Sequence, residues 1–215
     1  MSRVARIARS KPRVLTAAVL AVLAAAGLAA CDSQAGVAAT VAGQRITERQ
    51  VDAYLTGAAP AADAVAQVGA GRRALVVGQV IQNKLVEQVL TATAQGMPTD
   101  AELAASHDAA LAAASQSLSG AAFDKALLAQ VRQLGLNTRF RDLTLRSYEL
   151  LYALINRTNI TTQDQLAALF KPFAVTVSAR YGVWDSTGVQ LNSAAGAGAP
   201  SFVRMDSLVA AAANS

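Results

Sequence analysis

The chemistry that stands out first belongs to one thiol. Cys31 is the only cysteine in the chain's 215 residues, and it closes the run Leu28-Ala29-Ala30-Cys31. That run looks like the lipobox read by lipoprotein signal peptidase. Small side chains at 29 and 30 let the segment enter the peptidase in extended form, and the Cys31 thiol takes a diacylglycerol. A chain with a single cysteine makes no internal disulfide. Each buried methylene of an acyl chain contributes about 0.8 kcal/mol, so two acyl chains anchor stably where one does not.

The remaining reactive types are poorly placed for catalysis. His107 is the only histidine, so neither a metal cluster nor a nucleophile–base–acid triad assembles around it. Gly69-Ala70-Gly71-Arg72-Arg73-Ala74 fits a dinucleotide fingerprint loosely, but no strand precedes it. The sequons at Asn156 and Asn159 fall at a helix end, and the carboxylates are scattered. No catalytic residue, metal or cofactor is assigned. Tyr148, Tyr152, Tyr181 and Trp184 are the candidates for polypeptide contact, because aromatic rings join apolar area to a polar handle. Core packing is the alternative use for all four.

The segment before Cys31 sets the context. Arg3, Arg6, Arg9, Lys11 and Arg13 precede a run from Val14 to Ala30 that is apolar or small apart from Thr16. A basic head and a short apolar run read as a secretory signal, too short to favour a permanent span. No twin-arginine pair occurs, which points to the general secretion route. The formal charge of +5 belongs to this segment. Five of the 19 Lys+Arg lie before Cys31 and all 14 Asp+Glu lie after it, leaving 14 of each. A neutral mature chain has no electrostatic case for binding nucleic acid. The abundance of alanine and the excess of arginine over lysine suggest a GC-rich genome, and Asp32 after the cysteine is consistent with retention at the cytoplasmic membrane.

Periodicity then orders the mature chain. Residues 31–36 form a tether. Val37 to Val41 reads as a strand and Ala42-Gly43-Gln44 as a turn. Thr47 and Gln50 have capping-box spacing and open a helix carrying Val51, Tyr54 and Leu55. Residues 57–71 are loose. A long helix runs to about Ala94, stacking Val77, Ile81, Leu85 and Val89, with Gly96 and Pro98 beyond it. Thr99 and Glu102 box the next helix, and another spans about Ala121 to Leu134 before Gly135. Asn137 is expected to cap a helix from about Thr138 to Arg157. Its apolar side chains cover an arc of roughly 220° at 100° per residue, far more than a surface helix needs. It is therefore central, or it leaves a stripe for a partner. Thr162 and Gln165 box a short helix to Phe170, Phe173 to Ser178 reads as a strand, and Tyr181 to Asp185 continues from it. Residues 186–215 are expected to be a flexible tail, with a possible helical turn near Leu208.

In order, these pieces resemble the N-terminal domain of the SurA/PrsA chaperones. Ala39-Thr40-Val41-Ala42-Gly43-Gln44-Arg45-Ile46-Thr47 resembles the opening "a-v-V-N-G-e-x-I-T", with Ala42 where asparagine is usual. Gly96-Met97-Pro98-Thr99-Asp100-Ala101-Glu102 resembles the "G-I-x-V-T-x-x-E" junction. Leu134-Gly135-Leu136, Thr161-Thr162 and Arg180-Tyr181-Gly182-Val183-Trp184-Asp185 follow in the matching order. The resemblance covers residues 37–185. It implies a mainly α fold, a SurA N-terminal-like helical domain whose first strand pairs with a strand after the last helix. It also implies holdase-like binding of unfolded or newly exported polypeptides, without catalysis, by a lipoprotein anchored to the extracytoplasmic face of the membrane. Such pairing would set the tether near Tyr181 and Trp184. Relatives often add a parvulin prolyl-isomerase, but only 30 residues follow Asp185, fewer than the roughly 40 an unassisted domain needs. The rival reading is a structural or adaptor lipoprotein docking one cell-envelope partner.

Overall fold

The computed structural model describes residues 36–57, 71–115 and 120–192. Leu28 to Cys31, the tether up to residue 35, most of the loose stretch after Gly57 and everything after Asn192 lie outside them. The described fold is mainly α with small antiparallel pairings, as the sequence pattern indicates. Strand β1 (Val37–Val41) turns into β2 (Gln44–Thr47) through Ala42 and Gly43, both at positive φ, 47° and 81°. Such mirror-image turns match the twist of paired strands. Glycine enters them freely, whereas Ala42 sets its Cβ against its own carbonyl. A bulge at Ala38 separates the Val37–Thr47 pair from the Ala39–Ile46 pair.

The Thr47–Gln50 box opens α1 (Glu48–Asp52) with both reciprocal bonds formed. This helix is shorter than the sequence spacing suggests. Tyr54 and Leu55 lie beyond it, because Leu55 pairs with Leu136 in a single antiparallel bridge and the Asn137 amide donates to Ala53 O at 2.7 Å. Helix α2 (Arg72–Ala92) follows, with Val77, Ile81, Leu85 and Val89 buried. Helix α3 (Asp100–Ser115) begins at the Thr99–Glu102 box, where Thr99 N donates to Glu102 at 2.6 Å and Glu102 N to Thr99 at 3.2 Å. Helix α4 (Gly120–Gln133) precedes Gly135, whose φ is 67°.

Helix α5 (Thr138–Thr158) is the axis of the body, packed on α2, α3 and α4. Phe140, Leu145, Tyr148, Leu150, Leu151, Leu154 and Ile155 are all buried. Each fully buried side chain of this size contributes roughly 1.5–3 kcal/mol, so most of the wide apolar arc is consumed by the core, Leu143 and Tyr152 staying half-buried. Asn137 occupies the capping position but makes no side-chain cap bond, since its amide is turned to Ala53 and Leu55. Thr162 and Gln165 box α6 (Gln163–Phe170).

Strand β3 (Val175–Val177) then pairs antiparallel with β1, Ala39 opposite Val177 and Val41 opposite Val175, giving the order β2-β1-β3. The expected continuation through Tyr181 is interrupted. Gly182 at φ 118° redirects the chain, and β4 (Val183–Asp185) pairs with β5 (Gln190–Asn192) instead. The boundary expected at Asp185 therefore falls inside a hairpin. Val189 and Leu191 are buried in the body, and Gln82 donates to Val189 O at 2.8 Å. A Cβ added to Gly78 would stand 3.4 Å from Leu191, so glycine lets this hairpin approach α2 closely. Residues 186–192 thus belong to the fold. Among the described residues no helix is long and apolar enough to cross a membrane.

Candidate functional site

The four aromatic candidates do not form one surface. Tyr148 is 3% exposed, edge-on to Phe123 of α4 at 5.4 Å between ring centres. Tyr181 is 4% exposed. Neither ring is open to a client, because α4 covers this side of α5 and a polar cluster occupies the Tyr181 hydroxyl. Tyr152 on α5 and Trp184 on β4 are half-buried. Cys31 with Leu28, Ala29 and Ala30 lies outside the described residues.

The polar cluster around Tyr181 is a clasp. Glu48 heads α1, and its Oε2 accepts from Tyr181 Oη at 2.5 Å and from Arg73 at 3.1 Å. Arg180 brings its guanidinium to 2.7 Å from Glu48 Oε1, an ion pair without hydrogen-bond alignment. Arg73 also reaches Asp52 at 2.6 Å, and Arg180 lies over the Tyr181 ring, 5.3 Å from its centre. Burial pushes the Tyr181 phenol up, as does its hydrogen bond to Glu48. Arg73 is held above its ordinary value, chiefly by its hydrogen bond with Tyr181 and also by Glu48 and Asp52. All these charges find partners, so the clasp ties the corner after β3 to α1 and α2.

His107 has found a carboxylate. Its Nδ1 is 2.7 Å from Glu149 Oε1, and Arg146 stands 3.9 Å from the other oxygen. The contact joins α3 to α5. Among the described residues no group of three or more His, Cys, Asp or Glu is placed to hold a metal ion.

A cleft of about 480 Å³ opens between α1, α2 and α5. Ala53, Tyr54, Val80 and Leu143 supply its apolar lining. Lys84 and Glu87 rise on the α2 side, and Arg139, Asp142 and Arg146 on the α5 side. Tyr54 is braced edge-on by Phe140 at 6.2 Å. Burial raises its phenol, opposed by the charge of Arg139 and reinforced by that of Glu87. Asn83 donates to Glu87 at 2.9 Å and holds its carboxylate. The Ser147 hydroxyl lies 2.8 Å from Leu143 O and 3.1 Å from Asn83 Oδ1.

The charges of the cleft are unequally spent. Asp142 is taken by Arg141 at 2.7 Å. Arg146 reaches Asp100 at 3.5 Å as well as Glu149. Among the described residues Lys84 donates to the neutral Gln44, at 3.1 Å. Neither Lys84 nor Arg139 has an ion-pair partner among the described residues. Aromatic content did not point to this site. The helical spacing of Lys84 with Glu87, and of Arg139 with Asp142 and Arg146, was the available signal. No family model, curated protein or solved structure matches this chain.

Proposed function

We propose that the chain is a lipid-anchored extracytoplasmic lipoprotein, with a body of the SurA N-terminal type that docks a polypeptide partner without catalysis. Anchoring rests on the lipobox ending in Cys31. The likeness of type draws support from the helical body closed by the β1–β3 pairing. One observation carries the choice of a defined partner over promiscuous binding. Most of the broad apolar arc of α5 is spent in the core, with Leu143 at the cleft and Tyr152 half-buried, and among the described residues Met97 and Val183 are the only large exposed hydrophobic side chains. A general holdase needs contiguous apolar surface to capture varied chains.

Crosslinking in cells tests this, with a photoreactive residue at the exposed Thr138 beside the cleft. One dominant adduct in the membrane fraction, with release from membranes on Cys31→Ser, is the expected result. A broad smear of adducts would count for a holdase, and unchanged membrane association of Cys31→Ser would sink the anchoring. The holdase reading draws on Val183, exposed on β4, and on Trp184, half-buried on the opposite face of the same strand. Suppression of client aggregation at near-stoichiometric ratios, read by light scattering, would support it.

A further inference from the structure

We infer that the cleft between α1, α2 and α5 takes an acidic-apolar segment of the partner polypeptide, with Lys84 and Arg139 as its anion partners. The inference deepens the docking reading and rests on it. Four features of the cleft select this occupant.

Size comes first. About 480 Å³ lies within the range of roughly 300–1,000 Å³ typical of sites that enclose a small ligand. Such a space admits a few residues of an extended chain and not a folded surface. Second, Val80, Leu143, Ala53 and the Tyr54 ring offer apolar contact that rewards an apolar side chain.

The third feature is charge. Lys84 and Arg139 are unpaired cations among the described residues, while Asp142 and Arg146 are already engaged on their own rims. Glu87 is the remaining anion, and Asn83 holds it in place. Two free cations against one anion leave the cleft with an unmet demand for negative charge. An Arg guanidinium favours carboxylates in particular, through its planar fork of donors. Fourth, Tyr54 lines the same cleft as Arg139 and Glu87, and a phenol hydroxyl can donate to a carboxylate held by a neighbouring arginine. Basic segments meet Lys84 and Arg139 as like charges and are disfavoured.

Two fluorescein-labelled, end-blocked hexapeptides provide the test, one alternating leucine with glutamate and the other leucine with lysine. Anisotropy is measured against the detergent-solubilised full chain at low and physiological salt. The glutamate peptide is expected to bind at least tenfold tighter than the lysine peptide, and to weaken with salt. The double variant Lys84→Glu/Arg139→Glu is expected to reverse the preference. Both positions lie outside the core, and circular dichroism with thermal melting checks that the variant remains folded. Glu87→Gln is expected to tighten the glutamate peptide severalfold by removing the opposing charge. Equal binding of the two peptides, no binding of either, or a glutamate peptide indifferent to the double variant would overturn the inference. Because the binding assay uses purified protein without cells or membranes, its failure is separable from a smear in the crosslinking experiment.

Discussion

The clasp at Tyr181 and the cleft at Tyr54 use the same chemistry to opposite ends. Each sets a tyrosine hydroxyl among arginine and glutamate side chains. In the clasp, Glu48 is shared by Arg73, Arg180 and Tyr181. In the cleft, Arg139 and Lys84 are left without a carboxylate among the described residues, although Glu87 stands in the same space. Charges that satisfy one another fasten secondary-structure elements, and charges that do not are open to something outside the chain. What sets Lys84 and Arg139 apart is that they stand over a cleft with an apolar lining, whereas the charges of the clasp are spent within the fold.

Removing the centre of the clasp has the largest expected effect. Glu48→Ala strips a carboxylate from Arg180, Tyr181 and Arg73, of which Arg73 keeps Asp52, and is expected to cost about 2 kcal/mol. This takes the range for hydrogen bonds to charged groups and discounts it for the exposure of Arg73 and Arg180. Urea unfolding of the variant measures it, and a loss below about 0.5 kcal/mol would mean that the clasp is no fastening.

Tyr181→Phe is expected to cost about 1 kcal/mol at neutral pH, the worth of one hydrogen bond. Its pH dependence is more informative. The Tyr181 phenol is raised in the folded state, so its contribution is full below the ordinary tyrosine value near 10 and is lost as pH rises through the folded value. The native chain should therefore lose stability above about pH 10 more steeply than Tyr181→Phe. Tyr54 shifts in the same direction, so Tyr54→Phe serves as the parallel control. Identical alkaline slopes for all three proteins would remove the electrostatic account of both sites.

The smallest effects belong to the cleft. Lys84→Ala and Arg139→Ala are each expected to change stability by less than about 0.5 kcal/mol, as surface substitutions outside a network do. Each should weaken the glutamate peptide measurably. If either variant destabilised the chain as much as Glu48→Ala, the distinction between the two regions would collapse.

Local chemistry was the legible part of this chain. Three capping boxes could be read from threonine and its partner three residues on, and all three form. The strand before Ala42, the strand after Pro172 and the centrality of α5 follow equally from short-range pattern. What escaped was long-range. Glu48 meets residues 25 and 133 positions away, and no local period connects them. Asn137 has the residue type of a cap, yet bonds to a segment 84 positions earlier. The hairpin past Asp185 was hidden by the alanine, glycine and serine that follow it, although Val189 and Leu191 are its buried anchors. Aromatic type alone does not mark the cleft, because Tyr148 and Tyr181 belong to the core and the clasp while Tyr54 lines the cleft.

The position of β1 between β2 and β3 also governs the order of assembly. A chain made from its amino end completes the β1–β2 hairpin early, from neighbours in sequence. The other edge of β1 stays unpaired until Val175–Val177 emerges, after all the helices among the described residues. High contact order of this kind slows closure, and a waiting strand edge invites pairing with the wrong chain. The last strand of that sheet to be synthesised is thus the one that seals the first.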